Sequence, residues 1–355
     1  MPRIPWNYAL LIFVPITIGA MFLAADETII FILAAVAVIP LAGLVGEGTE
    51  ELAHHTGPQI GGLLNATLGN AAELIITIFA IQRGLLELVK ASIIGSILGN
   101  LLLIMGLSLF LGGLKNGLQS FDRRDAAMHA ALMLLALAAL MVPSLFDIAI
   151  ADNPSAELRL SEGVAIIMML LYAMSIYYSF RSSAKEKRLQ REPVHPHESK
   201  WTVRQSLGVL TLSTLGIVWM SEALIGAVES VTHQLGLTEF FIGIIIIPLV
   251  GNVAEHLVAV QVAIKNRMNL SMAVSIGSST QIALFVAPLL VFIALLFGER
   301  LLLVYNNYEL VALAATSIIA AFIALDGETN WLEGAMLLAL YAILALAFYF
   351  IPGTI

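Results

Sequence analysis

GNAAE, residues 69–73, and GNVAE, residues 251–255, are the two stretches on which the reading of this chain turns. They stand 182 positions apart. The same offset pairs Glu47 with Glu229, Thr56 with Thr238, Gly61 with Gly243, Ala91 with Ala273, and Ile94-Gly95-Ser96 with Ile276-Gly277-Ser278. Ungapped agreement at one offset over about fifty residues marks an internal duplication, the kind of symmetry on which many membrane transporters are built. Each word opens an apolar run: LIITIFAI follows Glu73, and HLVAVQVAI follows Glu255.

The rest of the chain supplies the setting for those runs. Of 355 residues, 59% are hydrophobic and 12% charged, and the mean hydropathy is +0.94. A soluble domain carries about a quarter charged residues, so the bilayer must be the solvent for most of this surface. Backbone polar groups in lipid are satisfied within helices, and apolar stretches of about 20 residues recur from end to end. The expected fold is therefore all-α and polytopic. Eleven candidate helices fall near 7–24, 28–46, 60–82, 89–113, 125–144, 160–181, 204–228, 238–264, 270–297, 305–325 and 331–352. The first run is read as a retained helix, because Ala24-Ala25-Asp26 is a poor signal-peptide cleavage site. The chain has no cysteine, which excludes disulfides and thiolate metal sites.

One long connection, about 182–203, is charged, holds Pro193 and Pro196 and has no apolar period, so it reads as a flexible linker. If it is cytoplasmic and the helices alternate outward from it, all but four of the 17 basic residues lie on the inner side. The four exceptions are Arg83, Lys90, Arg159 and Arg300. By the positive-inside rule this puts the N-terminus in the cytoplasm and the C-terminus outside. The expected setting is the inner (plasma) membrane of the cell.

The two repeated words fall on the third and eighth candidate helices. Five helices separate them, so the two copies cross the membrane in opposite directions. The organisation that follows is an extra N-terminal helix (1–27), a five-helix repeat (28–181), the cytoplasmic linker (182–203) and a second, inverted five-helix repeat (204–355). In such inverted repeats the substrate site lies near the midplane at the repeat interface. The bland alternative is a duplicated scaffold whose shared residues only pack. The carboxylate at the centre of each copy argues against it.

A carboxylate at mid-membrane is costly unless it is paired, protonated or bound to a cation. No Lys or Arg lies on the matched helices to neutralise Glu73 and Glu255. Brought together, the two repel, and either protons or a divalent cation relieves that repulsion. A choice between the two ligands is the logic of an antiporter. The competing reading makes each Glu a protonated structural hydrogen bonder.

Asn70 and Asn252 precede the glutamates by three positions and share their helix face. Gly-Asn is a poor mid-helix pair, and a break there would turn backbone carbonyls toward the site. Carboxylate, amide and carbonyl oxygens form a hard oxygen set suited to Ca²⁺, so Glu73, Glu255, Asn70 and Asn252 are the expected cation ligands. Close packing at Gly and a capped kink at Asn account for the same pattern. Ser96, Asn100, Ser278 and Gln281 form an expected second polar layer on the fourth and ninth helices, and interhelical hydrogen bonding would also explain them. His256 adjoins Glu255, with Leu74 in its place in the first copy; it tunes the site or is a packed neutral histidine. Glu222 lies inside the seventh helix, and Glu47, Glu50, Glu51 and Glu229 lie near helix ends, where most read as solvated. The sequence has no P-loop, no GxSxG and no basic nucleic-acid patch, and neither Glu50–His55 nor Asn252–His256 matches a zinc-protease motif.

At these residues the chain resembles the calcium/proton exchanger family of the calcium/cation antiporter superfamily. The resemblance spans nearly the whole chain. It is carried by GLLNATLGNAAELIITIFAIQRG with SIIGSILGNLLLIMG, and by IIIIPLVGNVAEHLVAVQVAIKN with SIGSSTQIALFVAP. It implies that Glu73 and Glu255 bind the cation and carry protons, that Asn70 and Asn252 flank them, and that Gln281 is the family's polar residue on the ninth helix. One departure is Ala72, where the family word has Thr before Glu. The resemblance further implies Ca²⁺ export driven by proton inflow, with no enzymatic step, no prosthetic group and no ATP. Ca²⁺, H⁺ and lipid are the expected partners, without nucleic acid; oligomeric state stays open, a homo-oligomer included. The alternatives are a sodium/calcium exchanger or other divalent cation antiporter and, in another class, a cation channel. A channel would carry a continuous polar stripe rather than one polar layer and an internal inversion.

Overall fold

The computed structural model describes residues 6–56, 64, 67–150, 153–189 and 200–352, and they are almost entirely helical. In chain order the helices are α1 Leu10–Phe22, α2 Glu27–Thr56, α3 Ala71–Gln82, α4 Leu86–Asn116, α5 Arg123–Ile150, α6 Pro154–Leu189, α7 Val203–Gly226, α8 Val228–Leu235, α9 Glu239–Gly251, α10 Val253–Ile264, α11 Met268–Leu296, α12 Asn307–Asp326 and α13 Trp331–Tyr349. Two short strands, β1 Gln119–Ser120 and β2 Glu328–Thr329, pair antiparallel.

Among the described residues, eight helices are long and apolar enough to cross a membrane, and nine if α8 and α9, bent by 117°, count as one span. The first, third and eighth of the eleven expected spans depart from that description. α1 and α3 are shorter apolar helices, and the eighth is divided at Asn252 into α9 and α10. Most of 57–66 lies outside the described residues, and with it the first part of the third span and the Gly61 match.

Two helices run furthest past their expected ends. α2 continues to Thr56, through EGTEELAHH. α6 continues to Leu189, into the stretch expected as flexible linker. Ala184, Lys185, Glu186, Lys187, Arg188 and Leu189 are all strong helix formers, and Pro193 comes too late to stop them. Residues 190–199 lie outside the described set.

Hydrogen bonds sort the connections into two ends of the molecule. At one end Asn116 and Gln119, after α4, donate to Ala263 O at 3.3 and 3.0 Å. The backbone of Asp122 donates to Asn269 Oδ1 at 2.5 Å, and the β1–β2 pair joins the α4–α5 and α12–α13 connections. At the other end Leu303 N donates to Ser161 Oγ (3.1 Å) and Tyr305 N to Ser144 Oγ (2.9 Å). Arg83 lies against Gly226 there, and Gln234 bonds Thr28 and Asp26 between α8 and the start of α2. α3 therefore ends at Arg83 at one end of the molecule, and α10 ends beside Gln119 at the other.

The core that holds the site is built on close helix crossings. Pro248 has no N–H to offer the carbonyl of Ile244 one turn earlier. A Cβ on Gly95 would lie 2.0 Å from that same carbonyl oxygen, so α4 reaches α9 only because residue 95 is glycine. Gly334 does the same for α13 on α4, where a Cβ would meet Phe110 N at 2.2 Å. Three π-helical turns interrupt the long helices: Gly99–Ile104 in α4, Ile242–Ile246 in α9 and Ile282–Val286 in α11. The first and third coincide within a residue at the offset of 182.

Candidate cation site

Asn70 and Asn252 occupy matched breaks. Their backbone angles are −96°, 18° and −104°, 3°, and each stands immediately before a helix. Glu73 and Glu255 then fall at the third position of α3 and α10. The first turn of a helix is the end of its dipole that favours a negative side chain.

The carbonyls of Asn70 and Asn252 do not turn into the site. Asn70 O accepts from Leu74 N at 2.9 Å and Asn252 O from His256 N at 3.0 Å. The break is a single residue at Asn252 and spans Gly69 and Asn70 in the first copy, and both oxygens stay in the helix ladder. These two carbonyl oxygens are therefore engaged within their own helices.

Glu73 is 3% exposed, Asn252 3% and Asn70 1%. The amide of Asn252 donates to Glu73 Oε1 at 2.8 Å, across the two halves of the chain. The hydroxyl of Ser96 donates to the same oxygen, and Asn252 Nδ2 also reaches Ser96 Oγ at 3.3 Å. On the other copy Asn100 Nδ2 donates to Ser278 Oγ at 3.0 Å, and Ser278 lies close to Glu255. The expected first and second polar layers therefore supply a network of two hydrogen-bonded groups: Ser96, Glu73 and Asn252 in one, and Asn100 with Ser278, close to Glu255, in the other.

That network leaves oxygens over. Among the described residues, Glu73 Oε2, Glu255 Oε2, Asn100 Oδ1 and both side-chain polar atoms of Asn70 are buried without a hydrogen-bond partner. Neither glutamate forms an ion pair among the described residues. Buried polar atoms are nearly always satisfied, so several unsatisfied acceptors in one layer mark a place for a hard cation or for protons. Among the described residues no three His, Cys, Asp or Glu side chains group as a metal centre, and the oxygen set rests on two carboxylates and amides.

The remaining expected residues separate. His256 is buried, with Nε2 unpartnered. Gln281 donates to the hydroxyl of Tyr172 on α6 at 2.8 Å, a contact across 109 residues with no periodic signal in the sequence. Glu47 accepts from Tyr8, Glu51 accepts from the backbone of Lys200 and Trp201 at 2.8 and 3.2 Å, and Glu50, Glu222 and Glu229 are exposed. None of these acidic residues joins the network.

A family model described as sodium/calcium exchanger protein matches residues 27–181 and 205–350. A Ca²⁺/H⁺ antiporter of Synechocystis sp. is 43% identical over 97% of this chain and 96% of its own length. The Ca²⁺/H⁺ antiporter ChaA of Bacillus subtilis is 39% identical over 95% and 96%. The solved structure of native YfkE superposes with a TM-score of 0.86 at 37% identity, covering 97% of this chain and all of that one. The chain belongs to the sodium/calcium exchanger family, in its calcium/proton exchanger group. The H⁺/Ca²⁺ exchanger CAX, with a TM-score of 0.75 at 18% identity, shares the fold. As a family member the chain is an integral membrane transporter, and the buried network lies between the two segments that the family model matches.

Proposed function

We propose that this protein is a secondary active antiporter that exports Ca²⁺ in exchange for H⁺ by alternating access. Glu73 and Glu255 are shared between Ca²⁺ and protons, with Asn70 and Asn252 as further cation ligands. One observation carries the reading: among the described residues the two carboxylates have no counter-ion, and each keeps a buried oxygen without a hydrogen-bond partner. The names of the relatives at 43% and 39% identity, both Ca²⁺/H⁺ antiporters, support the choice of ions.

The chemistry follows from charge. Two ionised glutamates make a site of −2 in a low-dielectric layer, and one Ca²⁺ or two protons neutralise it. The site can then release protons as the cation arrives. The kinks at Asn70 and Asn252, the two π turns matched at the offset of 182, and the exit of α3 and α10 toward opposite ends support an inverted repeat of two five-helix units plus α1. In that reading the chain makes eleven spans. The end carrying Lys115, Arg123, Arg124, Lys265 and Arg267 faces the cytoplasm, and the membrane is the plasma membrane.

The test is Ca²⁺ transport by the purified protein in liposomes. An outward- or inward-directed pH gradient should drive Ca²⁺ against its own gradient without Na⁺. Uptake that needs a Na⁺ gradient and ignores pH would replace the proton with Na⁺ as counter-ion.

A further inference from the structure

The π turn Ile282–Val286 of α11 begins immediately after Gln281, three residues from Ser278 in the site network. Most hydroxyls around it bond their own helix: Ser275 to Ser271 O, Ser279 to Ser275 O and Thr280 to Ile276 O, at 3.1, 3.0 and 2.8 Å. Ser278 and Gln281 instead reach other helices, Ser278 toward α4 and Gln281 toward α6.

The α6 contact is a single side chain with two holds. The hydroxyl of Tyr172 accepts from Gln281 Nε2 at 2.8 Å. Its ring stacks on Phe285, with centroids 5.4 Å apart and planes at 25°. Gln281 and Phe285 bracket the start and the body of the π turn. A π turn carries an extra residue and persists where outside contacts hold it, commonly at functional sites. Its register sets the direction in which Gln281 and, one turn earlier, Ser278 point.

We propose that Tyr172 is a positioning residue of the cation site: its hydroxyl fixes the Gln281 amide and its ring pins the π turn. Through them it holds the Gln281 and Ser278 side chains in their loading geometry. Tyr172 touches neither carboxylate among the described contacts and acts through Gln281. The inference rests on the reading of this layer as the Ca²⁺ site.

The experiment measures Ca²⁺ half-saturation and maximal rate in liposomes for Tyr172→Phe, Gln281→Leu, the double variant and Tyr172→Leu, each checked for monodispersity. Tyr172→Phe keeps the ring and loses one neutral hydrogen bond. It should raise the half-saturation concentration about three- to tenfold and leave the maximal rate little changed. Gln281→Leu should do at least as much, and the double variant should be no worse than Gln281→Leu. Tyr172→Leu, without the ring as well, should exceed Tyr172→Phe. Wild-type kinetics in Tyr172→Phe would overturn the proposal. So would additive effects in the double variant, or an unaffected Gln281→Leu beside a shifted Tyr172→Phe, since Tyr172 would not then act through Gln281. Failure of the underlying Ca²⁺ site would be seen separately, as transport that survives Glu73→Gln.

Discussion

Glu73 and Asn252 come from opposite halves of the chain yet share a 2.8 Å hydrogen bond, so the two copies of the repeated word meet side chain to side chain. Replacing either glutamate with Gln changes volume little and removes a titrating ligand. Glu73→Gln and Glu255→Gln should each abolish Ca²⁺ exchange while the protein still inserts and purifies as wild type; near-normal Ca²⁺ flux in either would remove that residue from the site. The amides should behave differently from each other. Asn252→Ala loses a hydrogen bond to a carboxylate, of about 1.5 kcal/mol, and should weaken Ca²⁺ half-saturation about tenfold. It should also shift the pH at which protons compete, because Glu73 loses a donor. The side chain of Asn70 has no hydrogen-bond partner among the described residues, so Asn70→Ala should weaken Ca²⁺ binding and leave proton competition where it is. Titrations of Ca²⁺ flux at several pH values separate the two outcomes. At this scale the duplicated words made the glutamates, asparagines and serines legible, because chemistry repeated at one offset is visible in a single sequence. Tyr172 was not, since a lone aromatic in an apolar span is indistinguishable from packing until its partner 109 residues away is known.

The helices were legible by their apolar length, and their interruptions only in part. The Gly-Asn pairs announced the kinks before α3 and α10, but not that the asparagine carbonyls would stay in the helix ladder. The π turns have no compositional mark in GNLLLI or IALFV. The extension of α6 is not legible, because charge and nearby prolines mask the helix propensity of AKEKRL. The crossing of α4 and α9 gives the sharpest test at this scale. A methyl group at residue 95 would meet Ile244 O at 2.0 Å, whereas one at residue 277, the matched glycine, would meet nothing within 4 Å. Gly95→Ala should therefore cost about 1–3 kcal/mol or more through overpacking, and Gly277→Ala should be neutral or gain up to about 1 kcal/mol in helix propensity. Thermal unfolding in detergent compares them, and equal midpoints for the two variants would contradict the crossing.

Across the whole molecule the connections gather at two ends, and the basic residues divide unequally between them. With no native cysteine, single probes report this directly. A cysteine at Arg124 should label only from the cytoplasmic side and one at Asn153 only from outside; labelling of both from one side would break the alternation. Charge balance sets a second expectation at this scale. A site that reorients only when neutral exchanges about two protons per Ca²⁺ and moves little net charge through the low-dielectric barrier. Ca²⁺ uptake at a fixed pH gradient should then vary little with clamped membrane potential, and steep voltage dependence would require a different stoichiometry. The central claim, that Ca²⁺ and protons compete for the same two carboxylates, is tested most directly by Ca²⁺ half-saturation as a function of pH on the binding side. The account predicts that affinity falls steadily as that side is acidified, while the maximal rate at saturating Ca²⁺ is retained. An affinity that stays constant from alkaline to acid pH would place the proton elsewhere and contradict the account.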